Sequence, residues 1–349
     1  MSTAIPSEHE IDMKKIIKFV ALALAVILVG AAIFLYIQSR PSGDINDYKA
    51  YYQDDIGKPS TSGIKVSFFG TSTLLIDDGE TQLLIDGFFS RPSIVQALTS
   101  KLSTDEKTAD EMIARFQMHR VKGVFVTHSH FDHALDAAYV SKRTNAKLYG
   151  SESTLNIGRG GGLTEEQMSL FEPGKEIKLG NFFVTVLRSR HSKMPASIDD
   201  TGKTIDQPLS QPADSKAYVE GGAFDFLIKH DGHAIYIKPS PNYVEGGLDG
   251  IRTDVLFLAS GTLSKQTEEF RTKYYDETAA KIKPKLVLPL HWDNFLLPFS
   301  DELQMMPKFM DDTGASFQYL IDRTKADNTD FKILQGGRSI LLFSNAEKE

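Results

Sequence analysis

The chain has 349 residues, is 41% apolar and carries a formal net charge of -7, enough apolar content to bury a sizeable core, which excludes disorder as its main state. No lysine- or arginine-rich stripe offsets the negative charge in the soluble part, so nucleic acid is not expected as a substrate. Cysteine is absent, which removes disulfides and thiolate ligands, so any transition metal must be held by His, Asp or Glu.

In chain order, residues 1–18 are polar and end in Lys14, Lys15 and Lys18. From Phe19 to Ile37 every residue is apolar or Gly apart from the amphipathic Tyr36. At about 1.5 Å per residue this run nearly spans a ~30 Å hydrocarbon core and reads as a transmembrane helix. A cleaved signal peptide is the alternative; Tyr36, Gln38 and Arg40 stand where small residues should mark its cleavage site, which favours an uncleaved anchor. Three lysines before the run against Arg40 after it predict a cytoplasmic N-terminus and a large extracytoplasmic domain. Residues 38–62 are rich in Ser, Gly, Pro, Asp and Tyr and are expected to form a linker.

Ile64, Val66 and Phe68 then alternate with Lys65 and Ser67, the period of a half-buried strand. Strands at 72–76 and 81–85 follow, joined through Asp78-Gly79 as a hairpin. Ser103 with Glu106 has the spacing of a capping box, and Ala109, Met112, Ile113 and Phe116 give the helix behind it an apolar face. Val121 to Val126 is a buried strand that stops abruptly at Thr127-His-Ser-His-Phe-Asp-His133. A helix is expected over 134–142. The glycine run 160–162 lacks the Lys-Ser/Thr of a phosphate loop and reads as a turn.

The strand at 182–187 leads into His191. Residues 192–222 are polar and broken by Pro, Gly, Asp and Ser; some thirty structureless residues inside a compact domain imply a flap over a site. A hairpin at 223–229 and 234–237 turns at Asp231-Gly232. A strand at 254–258, a helix at 265–282 and a buried strand at 285–290 follow, and the last stops at His291. Two strands thus share one pattern, an apolar run and then histidine.

Three imidazoles and a carboxylate within six residues, at the tip of a buried strand, suit a borderline-soft divalent cation, zinc first. His128, His130, Asp132 and His133, in the order HxHxDH after a hydrophobic strand, resemble the central motif of the metallo-β-lactamase superfamily of metal-dependent hydrolases. The resemblance runs from about Gly63 to the C-terminus and implies an αββα sandwich, here one hydrolase domain over 63–345, with one or two zinc ions at one edge of its sheets. It further implies that His128, His130 and His191 hold one metal, that Asp132, His133 and His291 hold a second, and that Asp132 orients the attacking hydroxide. His230 and His233 flank a hairpin turn and are expected to be exposed rather than ligating, and His119 and His9 lack partners.

Asp86, at the end of LLIDG, reads either as an outer carboxylate that accepts a proton from a ligand histidine or as a turn residue ending its strand. Trp292 either walls the pocket or packs in the core, and Asp293 beside it belongs to the same outer group of candidates. Many family members carry a bridging aspartate after the strand that here is 234–237. This chain has Ser240 there, a poor zinc ligand, which weakens the second site.

The reading that follows is a membrane-anchored zinc hydrolase acting on an ester, lactone, amide or similar bond of a small-molecule or lipid substrate. The alternatives are a lipid phosphodiesterase of phospholipase D type on the same fold and a non-catalytic metal-binding or scaffold module.

Overall fold

The computed structural model describes residues 13–53 and 63–344; His9 and part of the expected linker lie outside them. Helix α1 (Met13–Ser39) has a mean hydropathy of 2.9 over its most apolar window and buries none of it, so it is long and apolar enough to cross a membrane. A 3-10 segment, Ile45–Tyr51, kinked at Tyr48, follows.

The first half of the domain contributes β1 (Ile64–Phe68), β2 (Leu74–Asp77), β3 (Gln82–Ile85), α2 (Ile94–Thr99), β4 (Lys101–Leu102), α3 (Glu106–Arg115), β5 (Val121–Phe125), α4 (Phe131–Ala134), α5 (Ala137–Thr144), β6 (Lys147–Gly150), α6 (Glu152–Gly160) and β7 (Met168–Leu170). The second contributes β8 (Glu176–Leu179), β9 (Phe182–Arg188), β10 (Ala213–Asp214), β11 (Phe224–His230), β12 (His233–Lys238), β13 (Val255–Ala259), α7 (Glu268–Glu277), α8 (Ala279–Ile282), β14 (Leu286–Leu290), α9 (Thr313–Ala326), β15 (Asp330–Phe331) and β16 (Ser339–Leu342). One sheet runs β16-β1-β2-β3-β5-β6-β7 and the other β15-β14-β13-β12-β11-β9-β8, with β4 and β10 pairing apart.

The sheets face each other across a shared core: Phe125 of the first meets Phe226 of the second with ring centroids 5.7 Å apart. Helices α3, α5 and α6 cover the outer face of the first sheet, and α7 and α9 cover that of the second. This is the expected αββα sandwich. Strands covered on both faces must be apolar throughout, which is why VLFLA and LVLPL read as unbroken runs without alternation.

Strand direction decides where the site falls. β3, β5, β6 and β7 are parallel, as are β12, β13 and β14. Two antiparallel steps, β9 to β11 and β11 to β12, bring β9 back to the direction of β12. The C-terminal ends of β9, β12 and β14 therefore lie along one edge.

Several local expectations are corrected. Helix α3 is capped by Asp105, whose Oδ1 accepts from Thr108 N at 3.1 Å, and not by Ser103; this start is the one that turns Ala109 and Met112 inward. The helix expected over 134–142 is two pieces, because Asp136 at the join turns its carboxylate to the Phe89 and Ser90 amides, both at 2.7 Å. The one expected over 265–282 breaks at Thr278 (φ -118, ψ -94), whose hydroxyl donates to the Tyr274 carbonyl. Residues 41–53 are no free tether: Ile45 is buried, and Tyr48 and Tyr51 pack edge-on against Phe317 and Phe331. Trp292 is core and no pocket wall, fully buried against Phe68 and Phe317.

Candidate metal centre

Where β5 ends, the chain must turn while its amides still need acceptors. Asp86, directly after β3, supplies them: its Oδ1 accepts from Thr127 N at 2.7 Å. Its other oxygen accepts from Ser72 Oγ at 2.5 Å and lies 2.8 Å from His133 Nδ1. A carboxylate only accepts, so Nδ1 of His133 carries the proton and Nε2 keeps its lone pair. That Nε2 is buried without a hydrogen-bond partner.

His130 presents the opposite nitrogen. Its Nε2 lies 3.1 Å from both carboxylate oxygens of Asp200, which leaves Nδ1 to face inward. His191 Nδ1 is 3.1 Å from the Ser192 carbonyl oxygen, an acceptor, so its Nε2 is the free donor atom. His128, His130 and His191 stand ring to ring, each pair of centroids 4.7 to 4.8 Å apart.

Each of two triads, His128–His130–His191 and Asp132–His133–His291, can bring one ligand atom per residue within 4.8 Å of the others. Asp132 Oδ2 sits 3.6 Å from His133 Nε2 and 3.3 Å from His291 Nε2. Uncoordinated nitrogen lone pairs and a carboxylate buried together, with no hydrogen bond to His133 Nε2, are what a divalent cation would complete, so the residues present fit one.

The electrostatics point the same way. Burial, reinforced by the neighbouring imidazoles, holds His128 well below the ordinary histidine range and His191 down to about 3. Both are neutral, the form that ligates. Burial also works against charge on His130, but the carboxylates of Asp200, Asp132 and Glu220 outweigh it and raise this histidine. Burial opposes the charge of Asp132 as well, and His133 and His291 overcome it, so the carboxylate stays ionised.

The triads open into a cavity of about 490 Å³. His130, Asp132, His191, His291 and Ser240 line its floor, and the loop 192–219 supplies one wall, including Met194, Ile198 and Lys203. Ser240 reaches the cavity edge at the end of β12. Asp293 does not line it: it accepts from Thr71 N at 2.6 Å and pairs with the buried Arg91, so it ties the β1–β2 loop to the turn that carries His291.

The histidines set aside in the sequence behave differently from expectation in two cases, His230 and His119. His230 is largely enclosed, with Nε2 3.0 Å from Asp78 Oδ2 and its ring against Phe182; His233 is more exposed and stacks on Phe343. Both sit at the edge opposite the triads. His119 does have a neighbour, Arg120 Nη1 at 3.0 Å. Sequence reasoning missed Asp200, Ser72 and Thr127. Thr127 was legible as the residue before the motif, whereas Asp200, about seventy residues from His130, carried no signal beyond being an acid in a polar loop.

A family profile described as "Metallo-beta-lactamase superfamily" matches residues 66–258. A UPF0173 metal-dependent hydrolase of Anaeromyxobacter sp. (strain K) is 25% identical over 246 residues, 68% of this chain and 78% of that protein. Among solved structures, the metallo hydrolase Igni18 of Ignicoccus hospitalis superposes with a TM-score of 0.52 at 17% identity, covering 81% of this chain and all of that one. The diiron β-hydroxylase CmlA of Streptomyces venezuelae gives 0.51 at 12% identity, covering 82% of this chain and 55% of that one.

Proposed function

Because the chain belongs to the metallo-beta-lactamase superfamily and is a metal-dependent hydrolase, we propose that it is a membrane-anchored zinc enzyme that adds water to an ester, lactone, amide or similar bond. The hydrolase assignment removes the non-catalytic scaffold reading. One observation carries the proposal: His133 Nε2, oriented by Asp86, is buried without a partner beside Asp132 and His291.

On this reading His128, His130 and His191 hold one ion, and Asp132, His133 and His291 a second. Zinc when bound acts as a Lewis acid and lowers the pKa of its water towards ~7. The imidazole-rich, thiolate-free donor set supports zinc; the likeness to a diiron protein means the fold alone does not choose the metal.

The chain's own residues do the rest. Asp86, Ser72 and Thr127 fix the His133 tautomer, and Asp200 fixes that of His130. Asp132, an acceptor only, receives a hydrogen bond from the attacking water and holds it towards the cavity. The apolar wall of Met194, Ile198, Met306 and Met310 displaces bulk water around the bond to be cleaved. Ser240 at the cavity edge adds no anion, so the second triad binds its ion more loosely than the first. That apolar wall also favours a second reading, cleavage of a lipid phosphodiester.

Elemental analysis of protein purified without chelator tests the assignment. The expected result is one to two zinc per chain, falling by at least one in His128→Ala/His130→Ala together with loss of hydrolysis. Metal content unchanged in that variant would show that these are not the ligands.

A further inference from the structure

The segment that follows α1 is latched to the wall of the cavity. Phe309 N donates to the Gln38 carbonyl at 3.1 Å and Lys308 N to the Arg40 carbonyl at 3.0 Å, while Ser42 N donates to the Met306 carbonyl at 3.0 Å. Met306 and Met310 line the cavity. The wall of the site is therefore hydrogen-bonded to the residues where the apolar helix ends.

That level can be placed. α1 has 27 residues, about 40 Å at 1.5 Å each, against a ~30 Å hydrocarbon core, so its last turns stand at headgroup depth. Arg40 lies over the Tyr36 ring, 5.6 Å from the centroid, and an aromatic with a cation at the end of an apolar helix is an interfacial pair. The latched strip 306–310 stands at the same depth.

The rim of the cavity carries large exposed apolar side chains among polar ones, which include Asp199, Lys203 and Lys216. Phe309 is 46% exposed, and Ile198, which lines the mouth, is 60% exposed. Helix α2 has no buried residue and exposes Val95 at 64% and Leu98 at 75%. It is held to the mouth by Ser215, a lining residue whose hydroxyl donates to the Ala97 carbonyl at 2.7 Å. Lys203 and Lys216, both exposed, line the same loop wall and suit headgroup phosphates. Three apolar patches from distant parts of the sequence thus surround one opening, next to the end of a membrane-length helix.

We propose that the cavity mouth rests on the bilayer that holds α1, and that the substrate is a lipid-like amphiphile entering from that bilayer, its chain against Met194, Ile198, Met306 and Met310. This rests on the anchoring reading above and adds where the substrate comes from. Ile198, Phe309 and the exposed face of α2 sit among the headgroups, so a lipid can move into the cavity without crossing bulk water.

The test uses the full-length protein in phosphatidylcholine vesicles that contain a phosphatidylcholine with a diazirine at the end of one acyl chain. After irradiation, adducts are mapped by mass spectrometry. Adducts are expected on α1 and also within 194–198 and 306–310, with none on the hairpin turn 230–233 at the opposite edge. The variant Ile198→Glu/Phe309→Glu, changed only at exposed positions, should lose most of the 306–310 adducts while those on α1 persist. Adducts on α1 alone would overturn the proposal and leave the anchor standing. Cavity labelling unchanged in the variant, or equal labelling at 230–233, would also overturn it. A chain that neither floats with the vesicles nor labels on α1 would overturn the anchor itself, and this proposal with it.

Discussion

Asp200 reaches His130 from a loop that begins only after β9, and both its oxygens lie 3.1 Å from Nε2. It also accepts from Glu220 N at 3.2 Å, and the Glu220 carbonyl accepts from Ser129 N inside the histidine motif. Asp200→Ala should lower zinc affinity by about 10–100-fold, the usual cost of losing an outer partner of a ligand histidine, as read by competition with a chromophoric chelator. Unchanged affinity would show that His130 needs no such partner. A second expectation follows from protonation. His128 and His191 are depressed in the folded chain, His191 from 6.5 to about 3, so between those values the unfolded chain binds more protons than the folded one. Their contribution to the stability of the metal-stripped protein is therefore fully present above pH 6.5 and is lost as the pH drops through that window, outweighing the single raised histidine, His130, which acts in the opposite sense. Thermal melts across this range check the sign; a stripped protein that grows more stable on acidification would contradict it. At this scale the motif itself was legible because ligand types crowd into six residues, and Asp86 was visible as one of two readings. The roles of Asp200 and Asp293 were not, since both depend on contacts between segments far apart in sequence.

β12 and β9 flank β11 on either side, and a buried ion pair between β12 and Asp225 of β11 ties the three strands together where β9 and β12 end. Lys238 Nζ lies 3.1 Å from Asp225 Oδ2 and donates to Ser189 Oγ at 2.6 Å, while Tyr236 donates to the same carboxylate. Burial pushes the lysine down and the aspartate up, so each depends on the other to stay charged. Lys238→Met would leave Asp225 uncompensated and should cost ~3–5 kcal/mol, whereas Lys238→Met/Asp225→Leu should recover most of it, as measured by urea denaturation. Because Ser189 stands two residues before His191 and Lys238 two before Ser240, the single variant should also weaken metal binding. The strands were readable from sequence because doubly covered strands are apolar throughout and end at turn residues or histidine. The breaks at Asp136 and Thr278 were not, because neither is Gly or Pro and both are made by tertiary hydrogen bonds. The start of α3 was misplaced by two residues because Ser103 and Asp105 are both capable caps and only packing chooses between them.

For the whole molecule, the boundary between anchor and domain is the testable matter. Composition made 38–62 look like a tether, but Ile45, Tyr48 and Tyr51 are spaced to put one face of a short helix on the core, and that spacing was the signal overlooked. A chain trimmed to begin at Pro41 should stay folded in detergent-free buffer. One trimmed to begin at Gly63 should be destabilised by several kcal/mol, since full burial of one large apolar side chain contributes ~1.5–3 kcal/mol. Equal melting temperatures for the two would show that residues 41–53 add nothing to the fold.

The two proposed triads draw on both sheets. His128, His130, Asp132 and His133 follow β5 of the first, while His191 and His291 follow β9 and β14 of the second. An ion gripped from both sides is a covalent-like cross-link between segments far apart in sequence, closing loops long enough that a disulfide in the same place would be strongly stabilising. This cysteine-free chain would then own a staple indifferent to thiols and oxidants. What opens it is acid or a chelator, and on opening, the edge of the sandwich that holds the site should be the first to exchange its amide hydrogens.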